Sequence, residues 1–201
     1  MVRAILLCSL LLLALPRPVA AEWHFVPMIG VTFGKVTNFL DSAGGAQERD
    51  RHFGITVSRL GEGILGFEGG VVWTPGFFQG TDPVRRDLVE TSRAISAMGN
   101  VMLTTPRLWT EYSLRPFISG GVGLLHVLAE DSAAVFPVDA NLWGVNVGGG
   151  AIGFLSERTG VRFEMRYFST LGRKELPGMT LDGNAAHLRY LTASIGVVIR
   201  R

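Results

Sequence analysis

The sequence predicts an all-β fold, an eight-stranded antiparallel up-and-down transmembrane β-barrel, and three observations carry that prediction. The first is the alternation within residues 160–170. Val161, Phe163, Met165 and Tyr167 fall on one side of an extended strand, and Arg162, Glu164 and Arg166 on the other. A period of two marks a strand whose faces meet different environments. The second is that eight segments of this kind, each about ten residues long, follow one another with no convincing helix. The third is spacing: connections after segments 1, 3, 5 and 7 are long, and those after 2, 4 and 6 shorter. A barrel inserted in a membrane needs short turns at one rim and tolerates long loops at the other. A soluble barrel has no reason to sort its connections in this way.

Composition agrees with export and with a membrane. Of 201 residues, 47% are hydrophobic and 18% charged, the latter below the roughly 25% usual for soluble domains. Residues 1–21 read as a cleaved signal peptide, with Arg3 as the positive start, Ala4 to Leu15 apolar, and Val19-Ala20-Ala21 a small-residue cleavage site. Too few apolar residues precede Cys8 for a lipoprotein signal, so it reads as part of the apolar core of that peptide. Residues 22–201 then form a single barrel domain. Without Arg3 and Arg17 the 19 basic residues fall to 17, equal to the 17 acidic ones. A neutral chain gives no electrostatic reason to bind nucleic acid. No cysteine remains, which excludes disulfides and cysteine-based metal or redox sites. No later apolar run approaches the roughly 18–20 residues of a membrane helix, so a membrane would be crossed by strands.

Taken in order, strand 1 carries Trp23, Phe25, Pro27, Ile29, Val31 and Phe33 opposite His24, Met28, Gly30 and Thr32. Pro27 sits uneasily there, having no amide to donate to a ladder. A polar connection is expected over about 35–51. Strand 2 covers about 52–59 and turns through Leu60-Gly61-Glu62-Gly63 into strand 3, about 64–74, where Leu65, Phe67, Val71 and Trp73 oppose Gly66, Glu68 and Gly70. A loop over about 75–91 leads to strand 4, about 92–104, with Ile95, Ala97, Val101 and Leu103 against Ser96, Met98, Asn100 and Thr104. Strand 5 spans about 114–127, and a third long loop is expected over about 128–140. Strand 6 is about 141–155, with Trp143, Val145 and Val147 opposite Gly144, Asn146 and Gly148. Ser156 to Gly160 turns into strand 7, the stretch described first. A fourth loop, about 171–186, precedes strand 8, where Leu191, Ala193, Ile195, Val197 and Ile199 oppose Tyr190, Thr192, Ser194 and Gly196. Trp23, Trp73, Trp109, Tyr112, Trp143 and Tyr167 fall near strand ends, where interfacial aromatic girdles lie.

Energetics decide the facing. An arginine on the lipid face costs about 2–4 kcal/mol at the midplane, so Arg162 and Arg166 must face the lumen and Phe163 and Met165 the lipid. The same parity puts Glu68, Asn100, Asn146, Glu164, Thr192 and Ser194 inside. Eight strands leave an interior just wide enough for side chains to fill, and charges buried there have to pair. A lumen ion-pair network of Glu68, Arg162, Glu164 and Arg166 follows. The 26 glycines, about twice the usual share, would give those long side chains room and let the strands curve.

With these features the chain resembles the small eight-stranded outer-membrane β-barrel proteins, relatives of the OmpA transmembrane domain, OmpX and OmpW. Arg115-Pro-Phe-Ile-Ser-Gly-Gly-Val-Gly123 is similar to a strand of that family, Val161 to Phe168 to its charged penultimate strand, and strand 8 to its C-terminal targeting strand. The family's final strand ends in an aromatic residue, whereas this one ends Ile199-Arg200-Arg201. The resemblance implies a bacterial outer-membrane location and contact with outer-membrane lipid and lipopolysaccharide. It also implies insertion by the barrel insertion machinery and a monomeric state.

No catalytic, cofactor or metal site is expected. His24, His52 and His187 lie near strand ends and show no converging ligand set. His126 with Glu130, Asp131 and Ser132 invites comparison with barrels that deacylate lipid A. Those enzymes carry a His-x-Ser pattern on one strand, and here Leu128 stands where the serine would be. Gly148-Gly149-Gly150 lacks the lysine of a phosphate loop. Arg85-Arg86 and Arg173-Lys174 fall on expected external loops within reach of lipopolysaccharide, and Phe77-Phe78 and Val135-Phe136 read as apolar loop tips. The leading reading is a non-enzymatic outer-membrane barrel with a structural or surface-interaction role played by four external loops. A narrow pore for small or apolar solutes and a soluble periplasmic ligand-binding barrel are the alternatives.

Overall fold

In a membrane every backbone N–H and C=O has to find a partner within the protein, and a sheet closed on itself is one of the two structures that manage it. The computed structural model describes residues 21–37, 49–61, 63–77, 89–106, 114–131, 138–171 and 187–201. Residues 1–20 of the proposed signal peptide, Phe78, Trp109, Tyr112, Arg85-Arg86, Arg173-Lys174 and Val135-Phe136 lie outside them. Eight strands appear in chain order: β1 (Glu22–Thr37), β2 (Asp50–Leu60), β3 (Leu65–Pro75), β4 (Val89–Thr104), β5 (Leu114–Asp131), β6 (Val138–Phe154), β7 (Thr159–Thr170) and β8 (Leu188–Arg200). Each pairs antiparallel with its neighbour, and β8 returns to β1, closing the barrel.

Following the pairings once around gives the stagger. The path runs from Trp23 through Arg59, Phe67, Val101, Gly120, Val147, Tyr167 and Leu191, and meets β1 again at Phe33, ten residues above its start. Such a shear makes the strands cross the barrel obliquely. Pro27 pairs with Ile55 of β2. On its other side the β1–β8 register passes from Phe25–Ile199 to Met28–Gly196 without a shift, so the proline is tolerated within the barrel wall.

Two expectations need correction. The connection expected over 128–140 is mostly strand: Leu128 pairs with Asp139 and Ala129 with Val138, and β5 and β6 are 18 and 17 residues long. Polar residues such as Asp131 and Asp139 suggested a loop, but their backbone pairs in the ladder all the same, Asp131 with Val89 and Asp139 with Leu128. Likewise Lys35 to Thr37 belong to β1 and Val89 to Thr91 to β4, rather than to connections. Strict alternation also ends within β1. At Gly34, with φ of 60°, the β1–β8 register shifts between Phe33 and Val36. This bulge lets the chain adopt the left-handed conformation that glycine accepts. Beyond it Lys35 turns inward and is buried, where unbroken alternation would aim it at lipid.

The outer wall is apolar between rims where Arg51, Arg59, Arg93 and Arg189 are exposed. Phe67, Trp143, Ile118, Val147 and Phe163 are each more than half exposed. Trp73 lies against Phe53 at 6.0 Å between ring centroids, and Trp23, Trp143 and Tyr167 also face outward. The side chains facing the lumen include the buried charged and polar residues.

Candidate functional site: the packed lumen

Inward-facing residues form three layers. Nearest the rim that holds the described ends of the chain, Val26, Leu60, Met102, Phe117, Ile152 and Val198 pack into one apolar cluster. A second, larger apolar cluster fills the opposite half and includes Phe77, Met98, Leu125, Leu142, Phe168 and Tyr190. Between them lies a polar layer. Alternation reveals this filling only in part: Met98 and Tyr190 share faces with polar residues, whereas Val26 and Leu125 sit where both strand faces are apolar.

The polar layer holds Glu68 from β3 and Arg162, Glu164 and Arg166 from β7, all buried. Arg162 Nη1 lies 2.5 Å from Glu68 Oε2, and Arg162 Nε donates to Glu164 Oε2 at 2.8 Å. Arg166 Nη2 donates to Glu68 Oε1 at 2.7 Å and to Glu164 Oε2 at 3.2 Å. Each carboxylate is thus shared by both guanidiniums, and two positive charges meet two negative ones. Asn146 Nδ2 donates to Asn100 Oδ1 at 2.7 Å, and Asn100 Nδ2 to Glu68 Oε1 at 3.2 Å. Arg166 Nη1 donates to Asn146 Oδ1 at 3.2 Å, so the chain of amides closes back on the charges. The Arg162 guanidinium rests on the Phe117 ring, 4.4 Å from its centroid, which joins the layer to the apolar cluster below.

Glycines across β6 make this layer fit. Gly148 pairs with Arg166 and Gly150 with Glu164. A Cβ at Gly148 would lie 2.9 Å from the Arg166 Cα, and one at Gly150 would lie 2.8 Å from the Glu164 Cα. Gly30 serves His52 in the same way, since a Cβ there would come within 2.6 Å of the imidazole. His52 Nε2 lies 2.8 Å from Ser194 Oγ and its Nδ1 lies 3.1 Å from Thr32 Oγ1. A serine and histidine in hydrogen-bond contact invite comparison with a catalytic pair. Here the third member is a threonine hydroxyl instead of an acid, and the imidazole is fully buried.

Other inward residues escaped the sequence reading. Arg115 is buried and its Nη2 donates to Thr104 Oγ1 at 2.9 Å and to the Gly61 carbonyl at 3.2 Å. Its spacing with Phe117 and Ser119, two apart on one strand, was the available signal. Phe77, expected as a loop tip for external contacts, instead turns into the barrel. It meets Tyr190 edge-on at 5.3 Å, and Tyr190 in turn stacks on Phe168 at 4.8 Å. Lys35 secures it: the ammonium donates to the Phe77 carbonyl at 2.9 Å, lies 5.3 Å from the ring centroid and pairs with Asp50. Hydrogen bonds to a charged group contribute about 1.5–3 kcal/mol. Lys35→Met is expected to lower stability by about that amount in urea unfolding in micelles, and an unchanged midpoint would contradict this anchoring role.

Of the remaining histidines, His24 lies at the lower rim with its ring 5.7 Å from that of Phe154. His126 Nδ1 lies 3.0 Å from Asn141 Oδ1, well apart from the lumen chemistry. Among the described residues no group of three His, Cys, Asp or Glu side chains converges on a point that could hold a metal ion.

An eight-stranded closed sheet, apolar outside and charged at its centre, has the architecture of a small outer-membrane β-barrel. Among solved structures the chain is similar to Neisserial surface protein A, with a TM-score of 0.58 and 9% identity over 89% of this chain and 98% of that one. OprG, an outer membrane protein of Pseudomonas aeruginosa, gives 0.57 and 14% over 91% and 96%. Ail, the attachment invasion locus protein of Yersinia pestis in complex with the heparin analogue sucrose octasulfate, gives 0.55 and 12% over 90% and 99%. At such identities the likeness is one of fold. No family model matches the sequence, and no curated protein matches it by sequence.

Proposed function

We propose that this protein is a non-enzymatic barrel of the bacterial outer membrane. Its role is structural or lies in surface interaction, exercised through the connections that follow β1, β3, β5 and β7. The observation that carries this reading is the combination of a lipid-type outer wall with a lumen occupied at three levels. The apolar exterior, with Phe67 64% and Trp143 62% exposed, would be costly in water and weighs against a soluble periplasmic barrel. The paired charges and the clusters on either side of them leave the lumen a packed core, which argues for a scaffold over a passage.

Two experiments test it. Outer-membrane fractionation with heat-modifiable mobility on SDS gels is expected to find a membrane-bound protein that migrates as a compact form until heated. A detergent-independent soluble protein with a single mobility would refute the location. Planar-bilayer recordings are expected to remain silent, and stable unitary currents would favour the narrow pore over the scaffold.

A further inference from the structure

The lower rim carries a feature that the lumen does not explain. The turn between β6 and β7 is tightly built: Leu155 and Ser156 amides donate to the Thr159 carbonyl at 3.0 Å each. The Ser156 hydroxyl accepts from the amides of Thr159 at 3.1 Å and Arg158 at 3.3 Å. This turn is fastened to the last strand, since the Arg200 amide donates to the Arg158 carbonyl at 2.8 Å. Arg201 is fastened to the first, exchanging backbone hydrogen bonds with Trp23 at 2.9 and 3.2 Å. Three arginines are therefore presented on paired or turn-locked backbone. With Glu157, Arg158, Arg200 and Arg201 line an open groove of about 490 Å³.

Among its side chains the groove sets three guanidiniums against the single carboxylate of Glu157. Arg200 is committed to Glu22, with Nη2 2.8 Å from Oε1, and also lies over the Phe154 ring. Neither Arg158 nor Arg201 has an ion-pair partner among the described residues. Directly beside the groove the outer wall begins, with Leu155 77% exposed and Trp23 and Ile199 also facing out. A basic groove where an apolar belt ends matches a molecule with a negative head and apolar tails. Guanidiniums suit phosphate oxygens because their planar fork can donate two hydrogen bonds at once.

We propose that this groove binds the phosphate of an anionic glycerophospholipid in the inner, periplasm-facing leaflet. Arg158 and Arg201 hold the headgroup, and the acyl chains lie along the wall near Ile199 and Leu155. The inference rests on the outer-membrane reading above. It locates one specific lipid contact at the rim opposite the connections that follow β1, β3, β5 and β7.

Native mass spectrometry of the folded protein in detergent, titrated with phosphatidylglycerol or phosphatidylcholine, tests it. The wild type is expected to retain phosphatidylglycerol at least about fivefold over phosphatidylcholine, and Arg158→Gln/Arg201→Gln to lose that preference. Arg51→Gln/Arg93→Gln, at the other rim, is expected to keep it. Heat-modifiable mobility is measured on every variant, so a folding failure is recognised; Arg158→Gln alone, on the exposed turn, then carries the test. A folded, membrane-inserted wild type with equal retention of the two lipids overturns this inference alone. A preference that survives the Arg158/Arg201 change but falls with Arg51/Arg93 also overturns it. A protein that does not insert into membranes overturns both this inference and the reading beneath it.

Discussion

Arg162→Leu is expected to destabilise the barrel by about 3–5 kcal/mol, the cost of breaking a buried ion pair from one side. The Arg162 side chain is 1% exposed and contacts both Glu68 and Glu164. Its removal leaves two buried carboxylates sharing Arg166 alone, and opens space above Phe117. Equilibrium urea unfolding in micelles reads the loss, and a change below about 1 kcal/mol would contradict the pairing. The double variant Arg162→Leu/Glu164→Leu removes one charge of each sign. It is therefore expected to recover part of the deficit, because no excess negative charge is stranded. Arg162→Lys is expected to fall between wild type and Arg162→Leu. A single ammonium keeps the charge but lacks the fork that reaches both carboxylates.

The second large effect concerns glycine. Gly150→Val is expected to cost about 1–3 kcal/mol or to prevent folding. A Cβ there runs into the Phe163 carbonyl oxygen and the Glu164 Cα, main-chain atoms of β7 that cannot step aside without parting the ladder. The contrasting change is Gly69→Val on the lipid face, where a Cβ would meet nothing within 4 Å. It is expected to stay within about 0.5 kcal/mol of wild type. The fraction of protein that refolds to the heat-modifiable form compares the two directly. Equal losses would mean that the glycines are needed for strand curvature everywhere, instead of for room at particular lumen contacts.

The strand count, the antiparallel order and the inward set Glu68, Asn100, Asn146, Arg162, Glu164, Arg166, Thr192 and Ser194 could all be read in the sequence. Each lies in a strand where polar and apolar residues alternate, and a charge facing lipid is too costly to leave the choice of face open. Where both faces are apolar that reasoning has no purchase. Met98 and Tyr190 share faces with polar residues and so read as inward, but Val26, Leu125 and Leu142 look no different from their lipid-facing neighbours until the register is known, so much of the apolar filling of the lumen stayed hidden. Lys35 was obscured for another reason, because the Gly34 bulge reverses parity within one residue. Phe77 looked like a loop tip because it directly follows Pro75-Gly76. Its inward turn depends on Lys35 and Tyr190, distant in sequence. The long β5–β6 hairpin was missed because Asp131, Asp139 and Pro137 carry loop chemistry.

The central claim is that the wall carrying Trp143, Val147 and Phe163 faces lipid while the charged layer faces the lumen. Fluorescence quenching of a variant keeping Trp143 as its only tryptophan, reconstituted in bilayers, tests this most directly. Phospholipids brominated on their acyl chains are expected to quench Trp143 strongly, and aqueous acrylamide only weakly. Strong quenching by acrylamide with none from the brominated chains would place that wall in water and contradict the account.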